Sequence, residues 1–386
     1  RPTGTLSGNA FMKMLLGALG YDSESEGYTG ANWNVSVIKQ AVGIGLDDGN
    51  DNFLGSQAVT REEACLYAFN TLQATMVEYE TKNTIIVGDV QVNTTSTRSD
   101  VANTTKSDGN IDEDELMQFA EKYFDDLVAE GDTDGFGRPA TTWVYDGDEL
   151  GTYADDADEL YVLDDEYDLE ALLTGGDCLN YSSKDVLDSA TVYYNGTDEG
   201  EYDALSDDVL AGKGDILEVF ENDDGDVETI VFRSYTYAKI DEVITDLSST
   251  HENKGASVGI DLVDIEDTSL GTYYDDYNDD DKVLNGYNSD YTEGTVLAVA
   301  ISEDDAILDS YVMESITGTP SAAKMVEYGS ANDRGESVVE SGTITIDGTK
   351  YTYAAQMTGI DDQENVDFDE EYTIYLTSEG YVLAID

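Results

Sequence analysis

Apolar residues recur at helical spacing near the start of the chain. Phe11, Met14, Leu15, Ala18 and Leu19 fall at i, i+3, i+4, i+7 and i+8 and predict one apolar helix face. Ser7 is the expected N-cap and Gly20 the residue that ends the helix. Trp33, Val37, Ala41 and Ile44 form a second stripe that runs into glycines. Thr60-Arg61-Glu62-Glu63 reads as a capping box, the Thr60 hydroxyl facing the amide of Glu63 and the Glu63 carboxylate reaching back. Cys65, Ala68, Phe69 and Leu72 then supply the buried face of a third helix.

Thr84 to Val92 alternates as strands do, and Asn93 to Thr97 reads as a loop. Asp112 is placed to cap a fourth helix, with Glu115 at the right offset and Leu116, Phe119, Tyr123 and Leu127 as its apolar side. Beyond about residue 140 the pattern becomes short alternating runs punctuated by Asp, Asn and Gly. Gly214 to Phe220 leads into the acidic turn Glu221 to Asp226 and returns through Val227 to Phe232; Gly294 to Ala300 does the same, turning at Ser302 to Ala306 and returning through Ile307 to Val312. The two hairpins lie about 80 residues apart. A third closes the chain between Tyr372 and Ile385 about Ser378-Glu379-Gly380, and another is expected about Asp347-Gly348. A hairpin unit repeated in this way suits an extended surface protein.

Composition changes the picture. The chain of 386 residues carries 18 Lys+Arg against 85 Asp+Glu, a formal charge of −67. Such a surface repels phosphate backbones and anionic lipid, which excludes nucleic-acid and membrane-surface binding as functions. No run of about 18 apolar residues offers a membrane span. A hydrophobic content of 40%, with 27 Tyr, is enough to build cores, and the length suggests roughly two or three domains. The only histidine, His251, stands in a polar stretch and reads as a loop residue. Cys65 and Cys178 do not make a disulfide framework, and whether they pair is open from the sequence. The chain begins at Arg1 without a signal peptide, which reads as a processed piece of a longer exported protein. No nucleophile elbow, P-loop, dinucleotide fingerprint or zinc motif occurs, so the expectation is a protein that is not an enzyme.

The acids gather in turns. Asp47, Asp48, Asn50 and Asp51; Asp132 and Asp134; Asp223, Asp224 and Asp226; and Asp279 with Asp281 are the candidate calcium ligands. Calcium takes six to eight oxygens, which closely spaced Asp and Asn in a glycine turn can supply. A hydrated acidic turn is the simpler reading of any one cluster. For the whole chain, so many uncompensated charges oppose compaction and self-association, and bound divalent ions or high salt relieve that opposition. Asp108 to Glu115 resembles the second half of an EF-hand loop, but Lys106 would occupy a ligand position, so a true EF-hand is rejected.

Trp33, Ile38, Ala41, the Gly43-Ile44-Gly45 turn, Phe53 and Thr60-Arg61-Glu62-Glu63 together resemble an S-layer homology domain. That family consists of small helical modules that dock bacterial surface proteins onto secondary cell-wall polysaccharide. The resemblance implies that Arg61 contacts an anionic sugar, with Glu62 beside it and Trp33 as a core or stacking residue. It covers about 50 residues, and the preceding motif position reads Ser7-Gly8-Asn9-Ala10, without Arg or acid. Asp134 to Trp143 and Leu150 to Ala154 resemble the ectodomains of long bacterial surface proteins that carry such modules.

The expected fold is therefore α+β: an N-terminal S-layer-homology-like helical module (1–80), a connector with strand and helix (81–140), and small β-rich antiparallel hairpin or sandwich domains at 141–245, 246–320 and 321–386. The expected function is structural, a subunit of a bacterial surface layer or extracellular filament that assembles with copies of itself and is stabilised by calcium. The alternative is a wall-anchored adhesin or glycan-binding ectodomain. Either reading places the protein outside the cell on the cell surface.

Overall fold

A computed structural model describes residues 4–50, 52–80, 84–87, 90–93, 97–104, 110–111, 114–175, 178–181, 187, 189–222, 224–245, 247, 258–275, 282–285, 287–303, 305–328, 332–335, 339–359 and 366–386. Two compact units are present. The first comprises residues 1–132 and 141–152, the second residues 133–140 and 153–386.

The first unit opens with α1 (Gly8–Ala18), α2 (Trp33–Gly43) and α3 (Arg61–Gln73). The Ser7 hydroxyl caps α1, and both capping-box bonds of α3 form: Glu63 N to Thr60 Oγ1 at 3.1 Å and Thr60 N to a Glu63 carboxylate oxygen at 2.7 Å. Strands β1 (Val77–Tyr79), β2 (Thr84–Val87), β3 (Val90–Asn93) and β4 (Arg98–Asp100) follow, β1 pairing with β4 and β2 with β3. Then come α4 (Phe119–Tyr123), β5 (Leu127–Thr133), β6 (Pro139–Tyr145) and β7 (Asp148–Ala154), the last three forming an antiparallel meander.

The helix faces differ from those the periodicity predicts. In α1 the buried residues are Gly8, Met12 and Leu16, followed by the buried cap residue Leu19, while Met14 and Ala18 are exposed. Phe11, Met12, Met14, Leu15 and Leu16 leave almost no polar side, so spacing alone cannot select the face. In α3 the buried pair is Tyr67 and Thr71; Cys65 and Ala68 are exposed. Phe69 instead lies edge-on to Trp143, ring centroids 5.1 Å apart. The fourth helix begins at Gln118 rather than Asp112, the Gln118 amide donating to Glu121 at 3.2 Å, and Leu127 belongs to β5; Asp112 itself lies outside the described residues.

The second unit is built from three sheets. β8 (Glu159–Val162), α5 (Leu169–Thr174), β9 (Thr191–Tyr194), β10 (Thr197–Glu201), α6 (Tyr202–Leu205), β11 (Ile216–Glu221) and β12 (Val227–Arg233) give the first, ordered β10-β9-β12-β11-β8. β13 (Thr236–Ile244), β14 (Gly259–Val263), β15 (Ser269–Tyr274), β16 (Lys282–Val283), β17 (Val296–Ile301) and β18 (Ile307–Val312) give the second, ordered β16-β15-β14-β13-β17-β18. A parallel bridge from Leu284 to Ile307 joins its two ends. β19 (Glu314–Gly318), β20 (Pro320–Tyr328), β21 (Val339–Ile346), β22 (Thr349–Thr358), β23 (Tyr372–Leu376) and β24 (Val382–Ile385) give the third, ordered β19-β23-β24-β22-β21-β20. Only Thr319 separates β19 from β20, yet they stand at opposite ends of that order, so the sheet curls back on itself.

Each sheet has its own core. Leu172, Leu173, Val192, Leu217 and Phe232 fill the first, Ile240, Leu262, Leu297 and Val299 the second, and Ile344, Ile346, Ile374 and Val382 the third. The opposite faces of the repeated hairpins meet in a common core that includes Ile216, Val231, Tyr237, Ala298, Ala300, Leu383 and Ala384. Small residues at 298, 300 and 384 let the three hairpins approach closely.

The expectation of a helical module followed by separate antiparallel hairpin or sandwich domains is therefore corrected. Among the described residues strand predominates, 42% against 16% helix, the six helices are short, and the three sheets of the second unit stand in a propeller-like arrangement. The first-unit helices share their core with Met76, Val77, Tyr79, Val101 and Met117 rather than closing on themselves. Every sheet of the second unit contains a parallel pair, β9 with β12, β15 with β16 and β22 with β24. The local alternation that predicts strands is blind to such pairing, because β10, α6 and β11 lie between β9 and β12 in the chain.

Candidate functional site

One turn recurs at five hairpins, and it absorbs much of the candidate calcium chemistry. Between β11 and β12, Asn222 Oδ1 accepts the amides of Asp224 and Asp226, both at 3.0 Å, while Gly225 takes φ 81°. Between β14 and β15, Asp264 Oδ1 accepts from Glu266 and Thr268, with Asp267 at φ 60°. Between β5 and β6, Asp134 Oδ1 accepts from Phe136 at 2.9 Å and Arg138 at 3.0 Å. Ser302 and Thr377 hold the β17–β18 and β23–β24 turns through their hydroxyls. This is the three-residue hairpin loop that ends in a left-handed residue and a bulge. A short polar side chain closes it by satisfying the turn amides.

The candidate ligands have these places. Asp134 is engaged through both oxygens, since Oδ2 accepts from Arg138 Nε at 2.8 Å. Asp132 accepts the Thr142 hydroxyl at 3.1 Å. Asn50 donates to the Tyr67 hydroxyl at 2.6 Å and accepts the Asn52 amide, closing the turn that holds Asp47 and the exposed Asp48. Burial raises the Asp47 carboxyl above its ordinary value. Asp224 and Asp226 point outward, exposed beside the Asn222 clamp. Asp51, Asp223, Asp279, Asp281 and His251 lie outside the described residues. Among the described residues no group of three or more His, Cys, Asp or Glu converges as a metal cage.

Of the wall-binding candidates, Arg61 and Glu62 are exposed on the first turn of α3, and Arg61 makes no hydrogen bond or ion pair among the described residues. Trp33 is half-buried at the start of α2, with the Lys13 ammonium 5.3 Å from its ring centre. Lys13 is fixed there by donating to the Tyr28 carbonyl at 2.6 Å. No disulfide joins Cys65 and Cys178.

Sequence reasoning missed the polar network at the heart of the second unit. Glu218, on β11, is 5% exposed. Arg233 on β12 reaches it at 3.0 Å and Arg138 at 3.7 Å, and Arg138 is itself held by Asp134 at 2.7 Å. Both guanidinium groups lie within 6 Å of the Phe136 ring centre, at 5.2 and 5.8 Å. Arg233 also donates to the Tyr235 hydroxyl at 3.3 Å, which donates to Asp309 at 2.7 Å. Burial raises the Glu218 carboxyl above its ordinary value against the pull of Arg233 and Arg138. The chain of charges ties residues 133–140 to β11, β12 and β18. Its chemistry is that of a staple.

A legible signal for it existed: the sequence contains only six arginines. In so acidic a chain an arginine marks a place where a carboxylate is buried. Arg138, Arg233 and Arg334 all answer to that description, and Arg98 bridges Glu26 and Gln40 in the first unit.

No family model matches the sequence, and no curated protein matches it. No helix among the described residues is long and apolar enough to cross a membrane.

Proposed function

We propose that this protein is a structural subunit of a bacterial surface layer or extracellular filament, in which copies pack through their acidic hairpin tips with divalent cations between them. The observation that carries the reading is the repeated clamped turn. Each tip holds exposed carboxylates on a backbone fixed by its own hydrogen bonds: Asp224 and Asp226, Glu266 and Asp267, Glu303 and Asp305. Fixed, outward carboxylates repel between copies and gain most from a shared cation, whereas those on flexible loops would simply move apart. The role is mechanical rather than catalytic, and it places the protein outside the cell.

Purified protein examined by negative-stain microscopy and sedimentation tests this. Ordered sheets or fibres are expected in millimolar calcium and dispersed particles in EDTA. Monodisperse particles under both conditions overturn it. The exposed Arg61, without a partner among the described residues, favours a second reading, attachment to wall polysaccharide through the first unit. Retention on purified wall polymer is expected to fall in Arg61→Ala, and equal retention removes Arg61 from that role.

A further inference from the structure

A polar cavity of about 260 Å3 lies within the second unit, where its three sheets come together. It is bounded by Tyr194 at the end of β9, Ser234 and Thr236 at the β12–β13 corner, Glu303 after β17, Arg334, and Gln356 on β22. At about 30 Å3 per water it has room for roughly nine waters, the scale of a single sugar ring rather than of a nucleotide cofactor or an extended chain.

Its walls are fixed by contacts already made. Asn195, held at φ 43°, donates to the carbonyls of Ser234 at 3.0 Å and Ile301 at 3.3 Å and accepts the Ser234 amide at 2.9 Å. The Arg334 guanidinium lies 3.9 Å from the centre of the Tyr194 ring and forms an ion pair with Glu199. The amide nitrogen of Gln356, by contrast, is buried with no hydrogen-bond partner among the described residues, a rare condition in a folded protein.

We infer that this cavity binds one ring of a neutral sugar. Charge selects against an anion: Glu199 balances Arg334, Glu303 adds a carboxylate at the rim, and the chain as a whole carries −67. The remaining polar groups are of the kind a sugar needs. The Ser234 and Thr236 hydroxyls both donate and accept, the Gln356 amide does the same, and the Glu303 carboxylate accepts from paired hydroxyls. Ile301 supplies an apolar part of the wall, the face of the Tyr194 ring being covered by Arg334. This inference is independent of the assembly proposal, because it is read on dispersed protein in EDTA.

The test uses the full chain with glucose, galactose, mannose and N-acetylglucosamine as probes, glucuronate as the anionic control, and saturation-transfer NMR with calorimetry as readouts. At least one neutral sugar is expected to bind, with glucuronate at least about tenfold weaker. Gln356→Leu and Glu303→Ala are each expected to weaken binding about tenfold, the factor that corresponds to about 1.4 kcal/mol. Glu303 is exposed, so its variant keeps the test valid should Gln356→Leu fold poorly. Failure of all four neutral sugars to bind, equal binding of glucuronate, or parental affinity in Glu303→Ala overturns the inference.

Discussion

Replacing Arg233 by Met should unmask the Glu218 charge and make stability depend steeply on pH. Arg233 Nη2 sits 3.0 Å from Glu218 Oε1, while the other guanidinium, of Arg138, stands at 3.7 Å and is already engaged by Asp134. The second Glu218 oxygen is buried with no hydrogen-bond partner among the described residues. Without Arg233 the carboxylate has one distant partner, and taking up a proton becomes its cheapest response. The ordinary glutamate value is 4.5, so protonation costs about 1.4 kcal/mol for each pH unit above it. That bounds the loss at about 3.4 kcal/mol at pH 7 and at about 0.7 kcal/mol at pH 5. The sign follows from linkage. A carboxyl raised in the folded state contributes stability that is complete below 4.5 and lost as pH rises through the folded value. The variant raises that value further, so the gap to the parent opens with pH and closes in acid. In a unit of this size the pH 7 loss lowers the melting temperature by about 7–14 °C. Paired thermal melts from pH 4.5 to 7.5 measure it. A gap that is constant with pH, or smaller than about 1 kcal/mol at pH 7, refutes the argument. The double replacement Glu218→Leu with Arg233→Met removes both charges and should recover most of the loss.

The turns and close approaches give further outcomes. Asn222→Ala deprives two turn amides of their acceptor and should cost about 1 kcal/mol in chemical denaturation, with Asn222→Asp restoring it. Gly137→Ala puts a Cβ 2.3 Å from the Tyr193 ring at φ 84°; a loss above about 2 kcal/mol is expected, and a neutral result would contradict the packing of that turn. Thr60→Ala should destabilise the first unit by about 1 kcal/mol, read as a shift in the helical circular-dichroism transition. In a spectrophotometric titration, Tyr353, pushed up to about 12 by burial, should stay protonated at pH 11 while exposed tyrosines ionise.

Local chemistry is legible in this sequence, and long-range pairing is not. The capping box at Thr60 and Glu63 forms as its spacing predicts, because both partners lie within one turn. The hairpins at 216–233, 296–312 and 372–385 are likewise readable, since alternation and turn residues sit side by side. The short helix α5 has only its Asp168 cap as a local signature and α6 has no side-chain cap, and their apolar residues Leu169, Leu172, Leu173 and Tyr202 become meaningful only over the first sheet. The cavity lies further from view. Tyr194, Arg334 and Gln356 come from distant stretches of sequence, and the residue that fixes their surroundings is Asn195, whose left-handed backbone resembles any other turn asparagine until its carbonyl partners are known.

The acid turns carry the deepest change of reading. Spacing alone makes Asp134 and the Asn222 turn look like half-built cation sites, yet their side-chain oxygens already hold backbone amides. The hairpins are thus closed by their own side chains, and in the core they share Arg138 and Arg233 counter Glu218 from within. What remains outside is the set of exposed tip carboxylates held in fixed positions by those same clamps, of which Asp267 and Asp305 are also met by Lys239 and Lys282. A cation added to such a molecule has little to contribute to folding and much to contribute to the approach of a second copy. Calcium should accordingly govern assembly while leaving the melting temperature of the dispersed chain nearly unchanged, which separates bridging between molecules from stabilisation within one.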